Sequence, residues 1–271
     1  MFEQRPLSGE LDELRDERAP GTLVFDVERD FETLPSAVAE SLLAVVDAVD
    51  PTDYDESWVP DGAPDTLHRL AGEEFTVGAP GDGGVAWTRQ TDPAVVLVKP
   101  RLEGSPEGFV DFLVAEALLE VGLGGPEHFL GFFADEYRSL AGATSLGSAD
   151  TYQLAAALFA AYAGRSTRPV FAGWADTFPG LHAEWVDAGE RLAPRLGDLS
   201  RDVALGRTPF PEAAELACSA IKHDVEVPTP FDALDNAAYD QYGPSFAVRW
   251  AEKTFDALGD DGSGDGDDGP G

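Results

Sequence analysis

The segment from Ser105 to Val121 constrains this chain most. It opens on Ser105-Pro106-Glu107: a capping hydroxyl, a proline at the first helical position and an acid facing the positive end of the helix dipole. The residues that follow are apolar on most sides. A helix of this kind has no face to give to water, so it must lie deep in a core with other elements wrapped around it. The downstream sequence supplies such elements. Gly122-Leu-Gly-Gly125 breaks the helix, and Pro126 starts another with Leu130, Phe133, Tyr137 and Leu140 on one stripe. Asp150 caps a third, whose Ala155, Ala156, Ala157, Ala160 and Ala161 permit close helix contact. Shorter, proline-punctuated helices run to Arg207, and helices near 210–223 and 245–258 close the domain.

Upstream the pattern is mixed. Ser8 can cap a helix to about Glu17. Leu23, Val24, Val27, Phe31 and Leu34 recur near helical spacing, although Leu23-Val24-Phe25 also suits a strand. Pro35 opens a helix carrying Val38, Leu42, Val45, Val46 and Val49 until Asp50-Pro51, and Asp65 caps a short helix that stops near Gly72. Then Phe75 and Val77 alternate with polar neighbours, as do Val85 and Trp87, and Ala94 to Val98 is a continuous apolar run. This predicts a three-stranded antiparallel meander. The expected fold is mostly α, a bundle-like helical core with that small β insert. Its parts are an N-terminal helical segment (1–72), the meander (73–104), the main helical domain (105–258) and a disordered acidic tail (259–271) made only of Gly, Asp, Ser and Pro.

Charge adds a second constraint. The 271 residues carry 51 acidic and 18 basic side chains, a formal net charge of −33. Such a chain repels itself across a Debye length of about 10 Å at 0.1 M salt, but only about 3 Å at 1 M. Lys99, Lys222 and Lys253 are the only lysines, Ile221 the only isoleucine and Asn236 the only asparagine. This composition resembles the uncharacterised protein families of salt-in halophilic archaea, which implies a habitat and no active site. A basic stripe for nucleic acid is missing. Cys218 is the single cysteine, so no intrachain disulfide or cysteine zinc site can form. The N-terminus shows no apolar leader region, and the longest apolar run, Leu154 to Ala163, falls short of the ~20 residues a membrane helix needs. A soluble, cytoplasmic protein is expected, without cofactor or membrane contact.

Residues 165–207 depart from this background: six arginines balance six acids there, so the rest of the chain carries the whole −33. Trp174, Trp185, Arg191 and Arg195 in that stretch suit a binding surface for a protein partner, because Trp and Arg dominate interface hot spots. A more buried segment with internal Arg–carboxylate pairs would give the same composition. His182-Ala-Glu184 offers an acid–base pair, although residues two apart on a helix do not share a face. Glu116 and Glu120 are four apart on the apolar helix, as in carboxylate-bridged metal bundles, but the accompanying Glu-x-x-His is absent. Asp261, Ser263, Asp265 and Gly266 echo the start of a calcium loop that lacks its twelfth position. Gly81-Asp-Gly-Gly84 lacks the following helix that a phosphate cradle needs. Finally, Pro126-Glu127-His128-Phe129 is similar to the Pro-Asp-His-Leu element of TorD-like chaperones for molybdoenzymes, with two substitutions. That resemblance implies a helical, cytoplasmic, peptide-binding protein. The expected function is therefore non-catalytic binding or assembly through 165–207. The alternative is a small-molecule or metal-dependent enzyme using His182 and Glu184 with Glu116 and Glu120.

Overall fold

A computed structural model describes residues 2–7, 9–34, 36–72 and 74–261. In chain order the elements are β1 (Phe2–Gln4), α1 (Glu10–Arg18), β2 (Leu23–Val27), α2 (Ser36–Ala39), β3 (Ala48–Val49), α3 (Asp65–Ala71), β4 (Val85–Thr88), β5 (Thr91–Asp92) and β6 (Val95–Val98). Helices follow: α4 (Glu107–Leu123), α5 (Phe129–Phe133), α6 (Glu136–Ala143), α7 (Ser148–Ala172), α8 (Pro179–Leu196), α9 (Leu199–Ala204), α10 (Phe210–Lys222) and α11 (Ala237–Asp261). The chain is mostly α, as its periodicity predicts. Of the proposed acidic tail, residues 259–261 end α11; residues 262–271, with Ser263, Asp265 and Gly266 of the calcium-like loop, lie outside the described set, and so do Ser8 and Pro35.

The β part differs from the predicted meander. Four strands form one mixed sheet in the order β1-β2-β6-β4. β2 runs parallel to β6, with Leu23 opposite Val95 and Asp26 opposite Val98, while β1 and β4 are antiparallel to their neighbours. Phe75 and Val77 enter no strand: the Val77 carbonyl accepts from Leu34 N–H instead. The partner of Val95–Val98 comes from the N-terminal segment, some 70 residues earlier in the chain, and short-range alternation carries no information about such a pairing. The helix predicted from Pro35 to Val49 is also corrected. Four residues of α2 pass into a 3-10 turn (Glu40–Ala44), and Val49 pairs with Thr91 in the β3–β5 ribbon.

Alternation in the sheet separates two cores. Val24, Val96 and Val98 face α4 and α1, meeting Leu11, Leu14, Val110 and Leu118. Phe25, Val27, Val95 and Leu97 face the other way, against Phe31, Leu34, Leu42 and Val77. α4 is buried nearly all round because it packs on the sheet, α1, α7 and α8 together. The third core lies among α5, α6, α7, α10 and α11. There α7 and α10 approach closely: a Cβ added at Gly164 would stand 2.5 Å from Lys222 Cβ. α4 ends on Gly124, whose φ of 72° is the left-handed C-terminal stop that glycine adopts without strain.

Candidate functional site

The predicted surface at 165–207 is divided by the fold. Trp174 and Trp185 are 3% and 7% exposed and pack around Phe171 in the core. The Trp185 indole N–H donates to the Lys222 carbonyl at 3.1 Å. Arg191 and Arg195 are exposed on α8, Arg191 paired with Asp187. Arg165 and Arg168 turn inward onto Asp235, and Arg165 also grips Asp240 through two bonds of 2.6 and 2.7 Å. Two of the six arginines of this stretch are thus taken up by carboxylates from outside it. His182 sits 5.8 Å from the Trp185 ring, while Glu184 lies against Gly108 at the start of α4.

Glu116 and Glu120 do share a face of α4, and each has its own partner. Glu116 pairs with Lys222 Nζ of α10 at 2.7 Å. Glu120 Oε2 accepts from the Trp87 indole N–H of β4 at 2.7 Å. Desolvation and the neighbouring Glu116 charge raise the Glu120 pKa to about 7, against the pull of Lys222. The two carboxylates thereby join the sheet to α10 across α4. Among the described residues no group of three or more His, Cys, Asp or Glu could hold a metal ion.

A polar cluster that no sequence spacing marks surrounds the turn after α3. Glu127 accepts from Thr88 Oγ1 and Gln90 Nε2, each at 3.0 Å, and from Arg89 N–H. Leu130 N–H donates to His128 Nδ1 at 3.1 Å, so His128 caps α5 and carries its proton on Nε2, 3.5 Å from the Tyr152 hydroxyl. Burial lowers the His128 pKa to about 3, which keeps the ring neutral. Asp82 is exposed as a residue, yet the atoms packed around its carboxylate push its pKa up to about 6 despite a bond from Ala79 N–H. The cavity enclosed by this cluster measures ≈ 40 Å³, room for water and not for a metabolite.

The second cavity is of a different order. A cleft of ≈ 390 Å³ opens at the carboxyl ends of the parallel strands β2 and β6, bordered by Asp26, Lys99, Gly104, Ser105 and Glu107. Ligands of open α/β sheets settle outside the carboxyl ends of parallel strands, where the chain turns into helices. Here the chain passes from β6 through a 3-10 turn (Pro100–Leu102) into α4. Arg5, reaching in from beyond β1, is held by Asp26 at 2.6 Å. Lys99 is 1% exposed, its Nζ has no hydrogen-bond partner among the described residues, and it stands 4.7 Å from the centre of the Phe31 ring. Desolvation lowers its pKa. The one sequence signal for Lys99 was its rarity, a lysine closing an apolar strand in a chain with three. Arg5 and Asp26 carry no local signal, because their meeting depends on the β1–β2 register.

No curated protein and no solved structure matches the chain. The chain belongs to a family of unknown function (DUF7089), which matches it over residues 1–258 and so takes in every residue of the cleft.

Proposed function

We propose that this protein is a non-catalytic binding protein that holds a small polar molecule in the cleft at the carboxyl ends of β2 and β6. The observation that supports this reading is the cleft itself. Its ≈ 390 Å³ falls within the ~300–1,000 Å³ of small-molecule sites. Charged groups of both signs border it, while Val98 and Val110 line its floor. Neither this cleft nor the smaller cavity is lined by His182, Glu184, Glu116 or Glu120, so neither supports the enzymatic alternative. The exposed Arg191 and Arg195 leave a partner surface on α8 compatible with the same protein.

The test is an amide-shift titration with a panel of amino acids, organic acids, amines, sugars and nucleotides in concentrated KCl. At least one class is expected to shift the amides of Gly104, Ser105 and Gly108 saturably. Ser105→Trp, which fills the cleft from its rim, should weaken that response at least tenfold and leave the melting temperature unchanged. A panel that moves no amide between Glu103 and Val110 would overturn the reading.

A further inference from the structure

Two carboxylates of α4 face one lysine, and the three groups tie the sheet to the helices. Glu116 pairs with Lys222 Nζ at 2.7 Å, their side chains only 13% and 24% exposed. Glu120, half-buried, accepts from the Trp87 indole N–H at 2.7 Å. Four residues apart, the two acids are neighbours on one helix face. Lys222 is committed to Glu116: its carbonyl accepts from the Trp185 indole N–H, and α7 packs against its Cβ at Gly164. One lysine balances one carboxylate, so a second negative charge at Glu120 is uncompensated, and a proton there removes that cost. Desolvation and the Glu116 charge act in this direction, raising the Glu120 pKa to about 7. No other group nearby offsets the charge. Asp82, from the turn before β4, adds to it. Arg89 stands 5.8 Å from the centre of the Trp87 ring but binds the Gly125 carbonyl, and Glu127 is taken up by Thr88 and Gln90. His223, at the end of α10, faces Phe112, and burial lowers its pKa to about 4, which leaves it neutral. On α7 Arg168 is paired with Asp224 and Asp235, and on α1 Arg18 with Glu17. On α8 Glu184 lies at the far end of α4 and His182 against Trp185, while β6 is uncharged.

We infer that Glu116, Glu120 and Lys222 form a proton switch that releases the edge strand β4 from α4 while α4 and α10 stay joined. The two contacts differ in what holds them. α10 lies in the helical core along α7. β4 is four residues long, and β6 is its only ladder partner among the described residues. Opening at β4 therefore hydrates Glu120 without breaking the helical core, and local openings of this kind need less free energy than global unfolding. The sign follows from the proton. In the opened state Glu120 releases it from its ordinary 4.5 upward, in the closed state only near 7, so opening is favoured as pH rises across that interval. The switch does not depend on the cleft, and either can fail without the other.

The experiment is hydrogen exchange of the full chain at constant KCl, corrected for intrinsic amide rates. Between pH 5 and 7 the opening constant of the β4 amides is expected to rise about tenfold per pH unit, the slope for one proton released on opening, and to level off above pH 7. Amides of α7 and α10 should stay at least tenfold better protected than those of β4 throughout. Glu120→Gln, which keeps the shape and an acceptor for Trp87, should flatten the β4 profile, and Asp82→Asn should leave it sloping. A flat wild-type profile overturns the inference whatever the variants do. β4 and α10 exchanging together would show that the proton acts on global unfolding and that no local switch exists. A slope that survives Glu120→Gln, or disappears in Asp82→Asn, would assign the proton to another group and overturn the inference as well.

Discussion

Two buried charges make opposite predictions. Glu120 has a raised pKa, so between its ordinary value of 4.5 and about 7 the folded state holds a proton that the unfolded state has released. Its contribution is fully present below pH 4.5 and is lost as pH rises through about 7. Glu120→Gln keeps an acceptor for Trp87 and removes the titration. Urea unfolding from pH 4.5 to 7.5 should show wild type losing on the order of 2 kcal/mol relative to the variant. A parallel pair of curves would mean that Glu120 ionises as easily folded as unfolded. Lys99 is the converse case, a cation that burial disfavours. Lys99→Met conserves the stem and removes the unpartnered ammonium, so stability should hold or rise by about 1–3 kcal/mol. A loss of that size would show that Asp82 and Glu32 compensate the charge from their greater distance.

At the scale of elements, the sequence was readable where an element's own periodicity decides its environment. α4, α7 and α10 carry apolar residues on the faces that the fold buries, and Pro, Ser and Gly mark their ends. The segment from Val38 to Val49 carried an equally regular stripe and became a short helix, a 3-10 turn and a strand, because Val49 is captured by Thr91. Val77 alternates like a strand residue, but the ladder has no place for it. Close approach between elements was equally invisible. A Cβ at Gly122 of α4 would lie 2.1 Å from the Arg18 carbonyl oxygen at the end of α1, where only backbone could yield. Gly122→Ala should therefore destabilise by about 1–3 kcal/mol, even though alanine is the better helix former by about 1 kcal/mol. Gly142, inside α6 with nothing near its added Cβ, serves as the control, and Gly142→Ala should stabilise slightly. Thermal melts of the two variants separate packing from propensity.

For the whole molecule, net charge governs behaviour. At −33 the folded chain should gain stability steadily with KCl, as screening shortens the reach of repulsion from about 10 Å at 0.1 M to about 3 Å at 1 M. A midpoint that rises by at least 10 °C from 0.2 to 3 M KCl is the expected result, and a flat profile would remove the reading of salt adaptation. No helix among the described residues is long and apolar enough to cross a membrane. The predominance of helix, the burial of α4 and the acidic surface were determined by the sequence alone, because periodicity, caps and charge are local or additive properties that need no partner. The site was not. Glu116 and Glu120 share a face of α4, as their spacing predicts, but α10 and β4 decide what each one meets. Trp174 and Trp185 have the chemistry of a binding hot spot, but the helices fold over them. Lys99, Asp26 and Ser105 border one cleft only because β2 lies parallel to β6, a pairing across some 70 residues that closes at a cost in chain entropy and is repaid by both faces of the sheet. Local pattern cannot encode such a contact, so the cleft was left for the tertiary structure to make.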